Sequence, residues 1–224
     1  MIARRLPSSA LRTAMVLTVL GGTLAGCAKS GEIVVDQSVG ITAVRSACPA
    51  VGIPDYTGDV TLFRNPGDKT AANIDVVASM TNVRTRCNED AGDKVLATVS
   101  FDVRARRNDT NGARQVTLPY FVSVLQGGTN VASKRLGSVT LNFAPGQDRA
   151  QAQATGSAYI NRAAATLPED VRRRITRQRK AGDADAAVDP LADPEVRTAV
   201  ARATFEVLVG FQLSNEQLTY NATR

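Results

Sequence analysis

The sequence predicts a mainly β protein, an antiparallel two-sheet sandwich with a helical insertion before the last strands. Three observations carry that expectation. Apolar and polar residues alternate with period two over most of residues 57–143, as in strands with one face buried and one in water. Clusters of turn formers separate the alternating runs, among them Asn65-Pro66-Gly67, Gly127-Gly128 and Pro145-Gly146. Between residues 147 and 203 the alternation gives way to an Ala-rich, charged stretch.

The elements follow in chain order. A short strand covers residues 59–64. Residues 74–87 begin with Ile74, Val76, Ala78 and Met80 on one face and continue with Val83, Thr85 and Cys87 in the opposite phase. That flip predicts a bulge near Thr81-Asn82. In residues 95–107, Val95, Ala97, Val99, Phe101, Val103 and Ala105 share one face. Residues 114–125 alternate likewise. With Asn108-Asp109-Thr110-Asn111-Gly112 between them, these two runs predict a long hairpin. A strand over 131–143 follows, and Gln151-Ala152-Gln153-Ala154 closes another.

Thr166-Leu167-Pro168-Glu169 fits a capping box, with Thr166 as N-cap and a helix running to about residue 181, where Gly182 stops it. Residues 183–193 read as an Asp/Ala linker, and Asp193-Pro194-Glu195 opens a second short helix. Phe205, Val207, Val209, Phe211 and Leu213 alternate, and Leu218 and Tyr220 predict a final strand over 217–222. About seven strands at this spacing match an immunoglobulin or fibronectin III-like outline. The rival, an outer-membrane barrel, needs aromatic girdles, and aromatic residues are 4% of the chain.

Composition narrows the chemistry. The chain has 224 residues and no His. It therefore lacks the usual general base at neutral pH, every Ser-His-Asp or Cys-His arrangement, and the commonest metal ligand. A Ser-Lys dyad needs no His, yet no Ser-x-x-Lys motif occurs. The pattern calls for no cofactor and no metal, and the expected protein is not an enzyme. A His-free hydrolase is the least favoured alternative.

The first 26 residues form three zones. Arg4, Arg5 and Arg12 make a positive start, residues 14–20 an apolar run, and Gly21-Gly22-Thr23-Leu24-Ala25-Gly26 a small-residue stretch before Cys27. This is the order of a secretory signal. The apolar run is shorter than the roughly 20 residues a spanning helix needs. Leu24-Ala25-Gly26-Cys27 resembles the lipobox of bacterial lipoproteins. The resemblance implies cleavage before Cys27, lipid on its thiol and acylation of the new amino terminus. Two or more acyl chains give stable anchoring. In two-membrane bacteria an Asp after that Cys often marks inner-membrane retention; Ala28 here implies the outer membrane. Losing the signal removes three Arg and no acid, which lowers the net charge from +6 to +3. That leaves little support for nucleic acid binding.

The expected organisation is a cleaved signal over 1–26, a tether and N-terminal segment over 27–56, and a sandwich domain over 57–224 with its insertion at about 156–203. Cys48 and Cys87 are expected to form a structural disulfide in an oxidising compartment, with buried free thiols as the alternative. Arg172, Arg173, Arg174, Arg177, Arg179 and Lys180 crowd the first helix and leave Leu167, Val171 and Ile175 as a narrow apolar stripe. They are candidate contacts for anionic lipid or an acidic envelope partner. The plainer reading is a solvated helix balanced by the Asp-rich linker. Arg104, Arg106, Arg107 and Arg114 cluster on the expected hairpin, where they read as protection against edge pairing. Asp183, Asp185, Asp189 and Asp193 lack the tight spacing and Gly of a calcium loop. The expected function is a lipid-anchored, non-catalytic binding or assembly module of the envelope; the alternative is a purely structural lipoprotein.

Overall fold

The computed structural model describes residues 46–89 and 91–224; Cys27 and the signal segment lie outside the described residues. The strands are β1 (Ala50–Gly52), β2 (Asp59–Phe63), β3 (Ile74–Asn88), β4 (Lys94–Arg107), β5 (Arg114–Gln126), β6 (Asn130–Phe143), β7 (Arg149–Asn161) and β8 (Phe205–Phe211). They form two four-stranded sheets, ordered β1-β8-β5-β6 and β2-β3-β4-β7. All pairings are antiparallel except β1 with β8, which is parallel. The helices are α1 (Arg162–Ala165), α2 (Glu169–Thr176), α3 (Pro194–Ala203) and α4 (Asn215–Thr223).

The period-two pattern is realised as expected. Val95, Ala97, Val99, Phe101 and Val103 of β4 are at most 1% exposed and face Val122, Val124, Leu141, Val207 and Val209 of the other sheet. The bulge in β3 falls where the phase flips: pairing with β4 shifts between Thr81 and Arg84. Asn82 takes the positive φ of 54° that the bulge requires, a conformation Asn tolerates better than most residues. Its side chain donates to Asp102 and accepts from Arg84.

β4 and β5 do not form a hairpin, contrary to the expectation. β4 pairs with β3 and β7, and β5 with β6 and β8. Residues 108–113 instead carry the chain from one sheet to the other, and residues 144–148 carry it back. Arg107 holds both crossings. It is 1% exposed. Its Nε donates to Gln147 O at 2.8 Å, and its Nη2 to Thr110 O, Gly112 O and Ala144 O at 3.2, 2.9 and 2.9 Å. The guanidinium lies 5.1 Å from the Phe143 ring centre. A planar fork of donors suits several carbonyls converging from different directions. Arg107 is therefore an interior clamp and not part of a solvent-facing basic cluster.

Several boundaries differ from the sequence reading. Residues 50–52 belong to the sandwich through β8, so the domain begins before residue 57. Gln151 to Ala154 lie mid-strand in β7, and the insertion starts after Asn161. Residues 217–222 are helical: Ser214 caps α4 in a reciprocal capping box with Gln217. α4 packs on β2, where Tyr220 meets Phe63 edge-on at 5.1 Å. Asn221, 6% exposed, donates to Tyr56 O and Asp59 O at 2.8 Å each.

The insertion builds its own small core. Val171 and Ile175 of α2 pack with Val196 and Val200 of α3, flanked by Leu167 and Ala199. The predicted stripe is real, but it meets α3. α2 is shorter than expected, because Arg177 turns to extended backbone at its C-cap. Its N-cap is Pro168, while the Thr166 hydroxyl donates back to Arg162 O. α3 starts as expected, with Asp193 accepting from Glu195 N at 2.8 Å.

Candidate functional site

Three places bear on function: the cationic helix, the cysteine pair, and the outer face of the β2-β3-β4-β7 sheet.

Most of the helix cations have acidic partners. Arg172 pairs with Glu169, and Arg174 lies 3.5 Å from Asp193 and 3.9 Å from Glu195. Arg177 reaches Asp183 at 3.5 Å and Asp185 at 3.4 Å, and Arg179 reaches Asp185 at 3.3 Å. The Asp-rich segment thus folds back along α2. Arg179 is 5% exposed and helps seal this lobe. Among the described residues, Arg173 and Lys180 have no carboxylate within 4 Å; both are exposed. A membrane-facing cationic stripe would keep its charges outward and unpaired. Four of the six predicted contact residues instead close a local ion-pair network.

Three of the Asp-rich segment's carboxylates also accept from nearby main-chain N–H groups. Asp183 accepts from Lys180 N, Asp189 from Leu191 N and Asp193 from Glu195 N. Among the described residues no group of three or more His, Cys, Asp or Glu side chains is placed to hold a metal ion.

Cys48 and Cys87 lie at disulfide distance, with Cα atoms 5.9 Å apart. The pair joins the segment before β1 to the far end of β3. Cys48 Sγ is 3.2 Å from Glu89 Oε1. No helix among the described residues is long and apolar enough to cross a membrane.

A groove of about 780 Å³ lies on the outer face of β3, β4 and β7. Even-numbered residues of β4 point there, since the odd-numbered ones fill the core. Strand register sets Ser79, Arg104 and Gln151 in one row and Val77, Arg106 and Arg149 in the next. Asp148 lies 3.6 Å from Arg106 and 3.9 Å from Arg149. Among the described residues no carboxylate comes within 4 Å of Arg104. Arg149 escaped the sequence reading because only pairing across 43 residues brings it beside Arg106.

Titratable groups with shifted pKa sit elsewhere. Hydrogen bonds from Arg114 hold Asp75 below the usual carboxylate range, and those from Asn82 and Gln153 do the same for Asp102. The backbone and side chain of Thr70 lower Asp68. Burial raises Tyr120. Asp68 serves a turn, Asp75 an ion pair, Asp102 the amides of Asn82 at the β3 bulge and of Gln153 across the sheet, and Tyr120 the core. Comparisons with protein-family models, curated proteins and solved structures returned no match.

Proposed function

We propose that this is a lipid-anchored protein of the bacterial envelope, facing the periplasm from the outer membrane and acting as a non-catalytic binding or assembly module. One observation carries the reading. A positive start, a short apolar run and Leu24-Ala25-Gly26-Cys27 precede, in the sequence, a chain that folds as a sandwich from Ala50 onward. The cysteine pair supports it, because structural disulfides persist in oxidising compartments outside the cytosol. The absence of His from the sequence and the structural partners of every shifted carboxylate speak for binding over catalysis.

The experiment is Cys27→Ser with acyl labelling and a gel assay of processing. The thiol is the acyl acceptor in this reading, so the variant should take up no acyl label and accumulate as uncleaved precursor, held to the membrane only by its retained signal segment. Normal cleavage and acylation of the variant overturn the anchor. Crosslinking in intact cells then separates a module with a stable partner from a purely structural lipoprotein, which would give no specific adduct.

A further inference from the structure

We infer that the groove formed by Arg104, Arg106 and Arg149 is a binding site for an acidic glycan, a saccharide chain bearing carboxylates. It is a different surface from the cationic helix and does not depend on the lipid anchor.

The argument starts from a cost. Arg106 and Arg149 are directly opposite on neighbouring strands, and like charges so placed destabilise a sheet. Protection of a sheet edge explains arginines on edge strands. It does not explain these, because β4 is hydrogen-bonded on both sides. Arg149 alone sits on an edge strand. Arg104 and Arg106 therefore burden an interior strand with exposed positive charge. Asp148 offsets part of it, but it is half exposed and is shared between Arg106 and Arg149.

Shape and chemistry select the ligand. Arg104 and Arg106 are two residues apart on one face, about 7 Å along the strand. With Arg149 alongside, the charges suit anions spaced along a chain better than one compact ion. Guanidinium groups bind carboxylates through paired, charge-assisted hydrogen bonds. Ser79, Asn108 and Gln151 line the same groove and offer donors and acceptors to sugar hydroxyls. No aromatic side chain lines it, so it lacks the stacking platforms single-stranded nucleic acid uses. Being a recess with Ile74 and Val77 only partly exposed, it presents no protruding apolar group to a bilayer.

The test uses the purified full chain and a fluorescent oligogalacturonate, a saccharide with one carboxylate per sugar. Binding should appear at low salt and weaken severalfold as salt rises. Replacing Arg104, Arg106 and Arg149 together by Gln should weaken it at least tenfold. A control replacing Arg173, Lys180 and Arg202 by Gln makes the same change in net charge and should stay within twofold of the parent. Asp148→Asn removes the competing carboxylate, keeps every arginine and should tighten binding severalfold, which keeps the site testable if the triple variant folds poorly. Equal loss in both triple variants, no binding at low salt, or no gain for Asp148→Asn overturns the proposal. Preference for phosphatidylglycerol vesicles or a single-stranded oligonucleotide over the saccharide also overturns it.

Discussion

The Tyr120 hydroxyl of β5 donates to the main-chain oxygen of Thr155 in β7 at 2.8 Å, tying the two sheets together. Gly137 makes room for it, and Gly156 makes room for Val122 two residues on. A Cβ on Gly137 would meet the Tyr120 ring at 2.4 Å, and a Cβ on Gly156 would meet Val122 Cγ2 at 2.5 Å. Tyr120→Phe is expected to lower unfolding free energy by about 1 kcal/mol. Gly156→Ala is expected to lower it by about 1–3 kcal/mol through overpacking against a stiff, buried neighbour. In a Val122→Ala background, Gly156→Ala should cost less than it does alone. Urea titrations of the four variants, Val122→Ala among them, check both, and simple additivity would show that Val122 is not the obstacle.

Arg107 is expected to be among the most sensitive positions in the sandwich. Arg107→Met strands four carbonyls at the inter-sheet crossings, with an expected loss of about 4 kcal/mol at roughly 1 kcal/mol per orphaned acceptor. Arg107→Lys should recover little, because one ammonium cannot reach donors spread around a planar fork. Full recovery by Lys in thermal unfolding would refute the clamp.

Asp75 and Arg114 join the sheets at the same end, with both guanidinium nitrogens 2.6 Å from the carboxylate oxygens. The folded-state pKa of Asp75 is depressed. Its stabilisation is therefore fully present above the unfolded value, about 3.9, and disappears as pH falls through the lower folded value. Asp75→Asn is expected to cost about 1–2 kcal/mol at pH 7. That gap should begin to narrow below about pH 4 and close only as pH falls past the depressed folded value, where parent and variant become alike. A gap independent of pH would mean that Asp75 acts by packing.

The cysteine pair encloses a separation of 39 residues. Chain-entropy arguments put its stabilisation at about 4 kcal/mol as an upper estimate. Reduction should lower the melting temperature sharply, and Cys48 and Cys87 should take up a thiol label only after reduction. Labelling of either residue in the native, oxidised protein would contradict the bond.

The helical lobe has a core separate from the sandwich. Arg177→Gln with Arg179→Gln removes its ties to Asp183 and Asp185. Hydrogen exchange is expected to speed up in α2 and the following segment while β4 and β5 keep their protection. Uniform loss of protection would show the two cores to be one cooperative unit.

Strand positions were legible because burial imposes period two on the sequence, and even the β3 bulge announced itself at Thr81-Asn82. Pairing was less legible. The turn formers from Asn108 to Gly112 serve a hairpin and an inter-sheet crossing equally well, so local chemistry could not choose between them. Arg107 carried a signal that its charge obscured: it continues the odd-numbered, core-facing series of β4. α4 shows apolar residues at 218 and 220, as a strand would, yet Ser214 and Gln217 have the spacing of a capping box. The arginines of α2 and its C-terminal flank and the Asp-rich linker that balances them were both visible, but the chain reversal that pairs them residue by residue was not. The groove was invisible for the same reason, since Arg149 joins Arg104 and Arg106 only through register.

The placement of β8 has a consequence for how the chain matures. It lies between β1 and β5, so one sheet lacks an interior member until residues 205–211 become available. Residues 215–223 then dock on the backbone at Tyr56 and Asp59, some 160 positions upstream. Contacts of such long sequence separation form slowly, because loop closure must precede them. A chain delivered from its amino-terminal end therefore keeps the β8-pairing edge of β5 unpaired through most of its delivery. Such a chain remains threadable until late, and for the same interval it needs protection from aggregation.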